Sequence, residues 1–434
     1  MATALVVGNM IGSGIYLLPS SLAALGPVSL LGWVISGTGA LLVAFLFARL
    51  SRLVKGSGGP YLYPRAGFGE FVGFLSGWGY WVSVLLTNAS IALVFAGYLL
   101  VFFPSWQGSS LAAASIALAA VWLLTLINAN GVRTGGKVQL ATTILKIIPL
   151  LLIAVGGMFY FKPEHFAEFN LSGRSSLSAL GSAVTLTLFA FLGIESATVP
   201  AGNVKQAERN VPLATIAGTI IVIVVYLLVS LAIMGLVPPQ SLADSPSPLA
   251  DAAFRIWGKP GRLVATLGAL VSTFGALNGW ILIQGQMPMA MARDRLFPHI
   301  FDRQSAKGVP LIGLLVSSVI VSVVVLGNQS RGLVEIFSLL ILMSTFLNLI
   351  TYLFSSMAAV MILIREQPPG WRPWLMPTFR AGVPVFLFSL WAVYGSGMTI
   401  VFYGFLALML GLPFYVWGRI KRSEKEENET NGTV

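Results

Sequence analysis

The chain has 434 residues, 56% of them hydrophobic and only 9% charged, with a net charge of +11 at pH 7. That balance excludes a soluble globular domain and describes a helical protein that crosses a bilayer many times. The basic excess does not indicate nucleic acid, because Lys and Arg of membrane proteins gather in cytoplasmic loops. Cysteine is absent, so disulfides, thiol nucleophiles and thiolate metal sites are excluded.

Apolar runs divided by charged or Pro/Gly-rich stretches predict twelve spans, at about 2–25, 27–53, 69–103, 111–129, 137–161, 177–203, 211–238, 261–292, 310–328, 333–363, 381–396 and 399–419. The first run lacks the basic leader and small-residue cleavage site of a signal peptide and reads as a span. One transmembrane domain covers 1–420, and residues 421–434 read as a disordered cytoplasmic tail. With the N-terminus inside, the even-numbered loops, the span ends beside them and the tail hold 19 basic residues on the cytoplasmic side against 6 outside. That asymmetry puts both termini in the cytoplasm.

Span one is interrupted by Gly8-Asn9-Met10-Ile11-Gly12-Ser13-Gly14. Lipid offers a backbone no hydrogen-bond partners, so these residues predict two half-helices joined by an unwound turn. The second would aim its free N–H groups and positive dipole end at the membrane centre, where a carboxylate could bind. Close helix packing is the other use of such glycines. A loop after span two reads Ser57-Gly58-Gly59-Pro60-Tyr61. Tyr80 in span three and Tyr352 in span ten sit at mid-span, where packing and function are equally good explanations.

Lys146 lies in the middle of span five and Glu195 deep in span six. Charges at that depth are costly and point to function. Snorkelling is the alternative for Lys146, but about nine residues, or roughly 13 Å of helix, separate it from Lys137 at its span's start. Glu195 belongs to a second interruption, Gly193-Ile194-Glu195-Ser196, five spans after the first. Interruptions in spans one and six are what an inverted pair of five-helix repeats predicts. Trp280 follows Gly279 within span eight, ahead of Gln284, Arg293 and Asp294. An aromatic face lining a cavity in a bundle can hold a cation.

Together the Gly12-Ser13-Gly14 break, the Ser57–Tyr61 loop, the Gly193–Ser196 break, Glu208-Arg209-Asn210-Val211-Pro212 and the stretch from Gly279 to Pro298 resemble the amino acid–polyamine–organocation (APC) superfamily. The chain is most similar there to the basic amino acid/polyamine antiporters, in particular the bacterial arginine/agmatine type. The resemblance implies an all-helical LeuT-like fold of twelve helices with a 5+5 inverted repeat and broken helices one and six. It also implies a homodimer in the bacterial inner membrane, one-for-one exchange of small amino acids or amines, and no cofactor.

Carried over by position, the resemblance assigns the substrate carboxylate to Ser13 and to the backbone at Gly12 and Gly14. The α-amino group falls to carbonyls of Met10, Phe189 and Leu192. Trp280 would stack on the substrate and gate the site, with Asn88 and Ser344 at its distal end. Tyr80, Glu195 and Tyr352 would close the cytoplasmic side, and Glu195 would be the proton-sensitive group. Two departures matter. Phe189 stands where the arginine/agmatine type has tryptophan. Lys146 stands where that type has a small residue, and resembles instead the sodium-independent permeases, whose ammonium takes the place of a sodium ion.

These residues support an exchanger of cationic amino acids and their decarboxylated amines. A proton-coupled or uncoupled permease for neutral amino acids is the alternative, favoured by Lys146 and Phe189. No ring of like charge suggests a channel. No nucleophile–base pair or metal cluster suggests an enzyme.

Overall fold

The computed structural model describes residues 2–54, 59–131, 135–197, 207–327, 331–367 and 370–420. No strand occurs among them; a helix satisfies its own backbone, which is what a segment surrounded by lipid must do.

Span one is two helices, α1 (Ala2–Met10) and α2 (Ser13–Ala23). Then come α3 (Val28–Leu53), the short α4 (Leu62–Phe68), α5 (Glu70–Leu99), α6 (Ser110–Ala129) and α7 (Gly135–Met158). Span six is α8 (Ser176–Phe189), a turn over 190–193 and one 3-10 turn, Ile194–Ala197. The rest is α9 (Ala207–Leu236), the short α10 (Pro239–Ala243), α11 (Pro248–Arg293), α12 (Leu311–Leu326), α13 (Leu333–Glu366), α14 (Arg372–Gly395) and α15 (Met398–Met409). Among the described residues eight helices are long and apolar enough to cross a membrane, and Leu145–Met158, α8 and α12 are shorter apolar helices.

The elements depart from the sequence expectation where helix continues outside apolar runs. α4 and α10 are too short to register as spans. α11 begins at Pro248 rather than 261, because Pro is compatible with a helix's first turn. It bends at Gly258, whose φ of +64° suits glycine. α14 begins at Arg372 rather than 381, extending a charged, proline-bearing turn that hydropathy discounts. Ser57, Gly58, Lys55, Arg133, Lys205 and the tail from 421 lie outside the described residues.

Buried side chains form two cores. One is built on α1, α2, α3, α8 and α9, with Trp33, Phe191 and Tyr226 at its centre. The other is built on α5, α6, α11 and α12 and holds Trp81 and Trp280. α3 packs on α8 and α9, and α1 on α7 and α9. α5 packs on α6, α11, α12 and α13, and α11 on α6, α7 and α12. α7 also meets α9, while α13 meets α3 and α8. The two broken helices belong to the first core and reach the second through α5, α11 and α13.

Candidate functional site

The break in span one leaves carbonyls that a continuous helix would have satisfied. The Gly12 amide, instead of reaching Gly8, bonds the Met10 carbonyl at 2.9 Å. The Lys146 ammonium takes up the loss: Nζ donates to the Gly8 carbonyl at 2.6 Å and to the Ile11 carbonyl at 2.9 Å. Lys146 is 1% exposed, so snorkelling is excluded as its role. Ser272 Oγ approaches the same Ile11 carbonyl at 3.4 Å. Gly12 has no side chain with which to cap α2, and Ser13 Oγ in the first turn is buried without a partner. A dipole end and an uncommitted hydroxyl therefore face inward together.

The two breaks touch. A β-carbon on Gly14 would lie 2.8 Å from Ala190 Cβ and 3.0 Å from Ala190 Cα, so glycine alone permits the approach. Tyr226 of α9 ties them: its hydroxyl donates to the Met10 carbonyl at 2.7 Å, with the Ala190 carbonyl 3.2 Å away. The Met10 carbonyl thus has both lone pairs engaged. The Phe189 carbonyl accepts from the Leu192 amide at 3.0 Å. Phe189 and Leu192 are buried in the first core, with Phe189 edge-on to Phe337 at 6.1 Å. Nothing in the sequence signalled Tyr226.

Beyond Gly193, which has a φ of +104°, the chain delivers Glu195 to the interface of α5 and α13. Tyr80 donates to Oε1 at 3.0 Å and Tyr352 to Oε2 at 3.4 Å. All three side chains are buried. Residues 115 and 157 positions from Glu195 in sequence thus meet on one carboxylate.

On the opposing core, Asn88 Nδ2 donates to Gln284 Oε1 at 2.7 Å, and Gln284 Nε2 donates to Ser318 Oγ at 2.9 Å. Asn88 Oδ1 is left without a partner. Ser344 donates to the Ser83 carbonyl at 3.0 Å and meets the Thr87 hydroxyl at 2.9 Å. Trp280 is 4% exposed in this core. Gln284 and Thr87 are polar partners that the site expectation lacked; a buried glutamine in an apolar run was the available signal for the first.

At the end bearing Arg49, Arg65 and Arg293, a second layer closes the bundle. Arg65 pairs with Asp294 at 2.5 Å, and Tyr61 donates to the same carboxylate at 2.9 Å. Burial, then the Asp294 charge and hydrogen bond, push the Tyr61 hydroxyl above its usual range, so it stays a neutral donor. At the opposite end a cavity of about 910 Å³ lies between α2, α5, α6, α11, α12 and α13. Ser20, Asp251 and Arg262 line it, and none of the expected substrate contacts does. It lies apart from the central residues.

The Arg65–Asp294 pair is about 30% exposed on each side, so it is worth roughly 1 kcal/mol at most. Asp294→Asn should then raise opening at this end about fivefold. With no native cysteine, a single Ser355→Cys probe, buried one turn from Tyr352, reads this directly. Maleimide labelling that is equally slow with and without Asp294→Asn would exclude the pair as a lock.

Comparison with known proteins identifies the family. An amino acid permease family model matches residues 1–423. The putrescine transporter PotE of Escherichia coli (strain K12) is 32% identical over 419 residues, covering 95% of this chain and 94% of the relative. PotE of Haemophilus influenzae is 31% identical over 418 residues, with the same coverage. The cadaverine/lysine antiporter of Escherichia coli (strain K12) is 31% identical over 359 residues, covering 81% of this chain and 80% of the relative. The chain belongs to the amino acid permeases of the APC superfamily, among the basic amino acid/polyamine antiporters, and is a multi-pass inner-membrane carrier rather than an enzyme.

Proposed function

We propose that the chain is a sodium-independent antiporter exchanging a cationic, arginine-like amino acid for a related amino acid or its agmatine-like decarboxylated amine. The observation that carries this reading is the buried Glu195 carboxylate, held by Tyr80 and Tyr352 where the span-six break meets α5 and α13. A carboxylate removed from water attracts a cation far more strongly than one at a surface. The relatives' names, a putrescine transporter and a cadaverine/lysine antiporter, support the same chemistry. Sodium independence rests on Lys146, whose ammonium already occupies the carbonyls of the span-one break.

The fold that suits this mechanism is LeuT-like, with twelve spans and a 5+5 inverted repeat. Exchanging each span for the one five positions on turns five of the packings into others that also occur. The α3–α8 packing becomes α9 on span one, α5–α6 becomes α11–α12, α5–α12 becomes α11–α6, α7–α11 becomes α13–α5, and α7–α9 becomes α13–α3. In this reading the Ser13 hydroxyl and Gly14 backbone hold the substrate carboxylate, Trp280 stacks on its body, and Asn88 and Ser344 lie at its distal end. Tyr80, Glu195, Tyr352 and, further in, Arg65–Asp294 form the cytoplasmic barrier. Both termini are cytoplasmic, and the carrier is a homodimer.

A second reading, a proton-coupled or uncoupled permease for neutral or varied amino acids, draws on Lys146, a fixed cation at the break. Counterflow separates the two. Proteoliposomes preloaded with arginine, ornithine, agmatine or putrescine should take up labelled arginine or ornithine, equally in sodium and in choline, whereas empty vesicles should not. Uptake into empty vesicles driven by a pH gradient, or counterflow with alanine and leucine alone, would favour the permease.

A further inference from the structure

The face between α5 and α13 is a ladder of polar rungs. Glu195 joins Tyr80 to Tyr352 in the first. One turn along, Asn348 Nδ2 donates to Ser83 Oγ at 2.7 Å and to the Ser344 carbonyl at 3.1 Å. One turn further, Ser344 meets Thr87. Ser83 and Thr87 are four residues apart on α5, as are Ser344, Asn348 and Tyr352 on α13, so the rungs stack along one seam.

The middle rung fixes which way the Asn348 amide points. A backbone carbonyl can only accept, so the Ser344 carbonyl demands the NH₂ side. Ser83 gives its hydroxyl proton to the Tyr80 carbonyl at 2.8 Å, so it too accepts from Asn348. Oδ1 must therefore point away from both. It is buried and has no partner, on a side chain 2% exposed. Buried amide oxygens are rarely left without a donor, and one held in a fixed direction beside the carrier's own site residues is built for an occupant. Asn88 Oδ1 is a second such oxygen, but its direction depends on how Gln284 is turned.

We propose that Asn348 Oδ1 accepts a hydrogen bond from the terminal ammonium of the substrate, making Asn348 a specificity-determining residue for ligands with a distal primary amine. This rests on the exchanger reading above and moves its preferred substrate from an arginine-like guanidinium to an ornithine- or lysine-like amine. A compact ammonium carries three donors that can swing onto a point acceptor. A planar guanidinium is matched best by a carboxylate fork, and the carboxylate on this seam already receives two tyrosine hydroxyls. The competing explanation is that Asn348 only glues α5 to α13, as polar residues do between membrane helices. In that case its donor side alone matters.

The test compares ornithine with norvaline, which is ornithine lacking the δ-amino group, as competitors of labelled counterflow. Asn348→Leu should reduce the preference for ornithine over norvaline by about tenfold or more, the scale of a hydrogen bond to a charged group. Asn348→Ser, which keeps a hydroxyl able to donate to the Ser344 carbonyl, repeats the measurement should the leucine variant fail to reach the membrane. Ser83→Ala removes a partner of the amide nitrogen and leaves Oδ1 in place, so it should weaken both competitors alike. Parallel weakening of ornithine and norvaline in the Asn348 variants would overturn the assignment. A wild-type carrier that exchanges no ornithine, lysine or putrescine would instead overturn the exchanger reading itself.

Discussion

Replacing Lys146 with methionine is expected to abolish exchange and to lower the stability of the detergent-solubilised carrier. Methionine keeps the length of the side chain and deletes the ammonium. The Gly8 and Ile11 carbonyls, now served at 2.6 and 2.9 Å, would then lose a charged donor in a site with little access to water. Two hydrogen bonds from a charged group are worth about 3–6 kcal/mol together, a large part of a marginal total stability. The predicted failure is local. The break in span one would regain helix, or admit water, and the first turn of α2 would no longer be presented to the centre. Lys146→Arg should not rescue it, because a planar fork cannot reproduce one point donor between two carbonyls. Exchange by Lys146→Met near the wild-type rate would show that the break holds itself open without the ammonium.

Glu195→Gln should cut the exchange rate at least tenfold while leaving the carrier folded. Glutamine preserves shape and one acceptor oxygen, so the Tyr80 bond at 3.0 Å can persist. The Tyr352 hydroxyl at 3.4 Å would face an amide nitrogen instead of a carboxylate oxygen. Losing the charge from one hydrogen bond removes about 1–2 kcal/mol, and the attraction for a cationic substrate goes with it. Tyr80→Phe and Tyr352→Phe each delete one donor and keep the charge. If the carboxylate's main task is to recognise the cation, both should fall less than Glu195→Gln. Equal losses in all three, measured as counterflow rates at subsaturating substrate, would make Glu195 a barrier element and not a cation-recognition group.

The two breaks were legible because they are local anomalies. Three glycines, an asparagine and a serine inside an apolar run cannot make a good helix in lipid, and α1 and α2 part at Ile11-Gly12 accordingly. Lys146 and Glu195 stood out for the same kind of reason, a charge where charge is expensive. Tyr80 and Tyr352 had no such mark: a mid-span tyrosine is as good a packing residue as a gate. Their pairing with Glu195 became an expectation only through the family resemblance. Tyr226, Thr87 and Asn348 were invisible, since each is an ordinary residue until its neighbour is known. Short helices such as α4 escaped because a seven-residue segment carries too little hydropathy signal to separate it from a loop.

The amino-acid sequence by itself determined the class of protein, that it crosses the bilayer many times, the two points at which helices break, and the two charges at depth. Each follows from the chemistry of residues next to one another in the chain and from a solvent, lipid, that tolerates few exceptions. Which groups satisfy those exceptions was decided only by the tertiary structure. Lys146 meets Gly8 across 138 positions, Tyr226 meets Met10 across 216, and Asn348 meets Ser83 across 265. A hydrogen bond is a matter of three ångströms and a direction, and neither can be set until the two cores pack and bring α5, α9 and α13 against the broken helices.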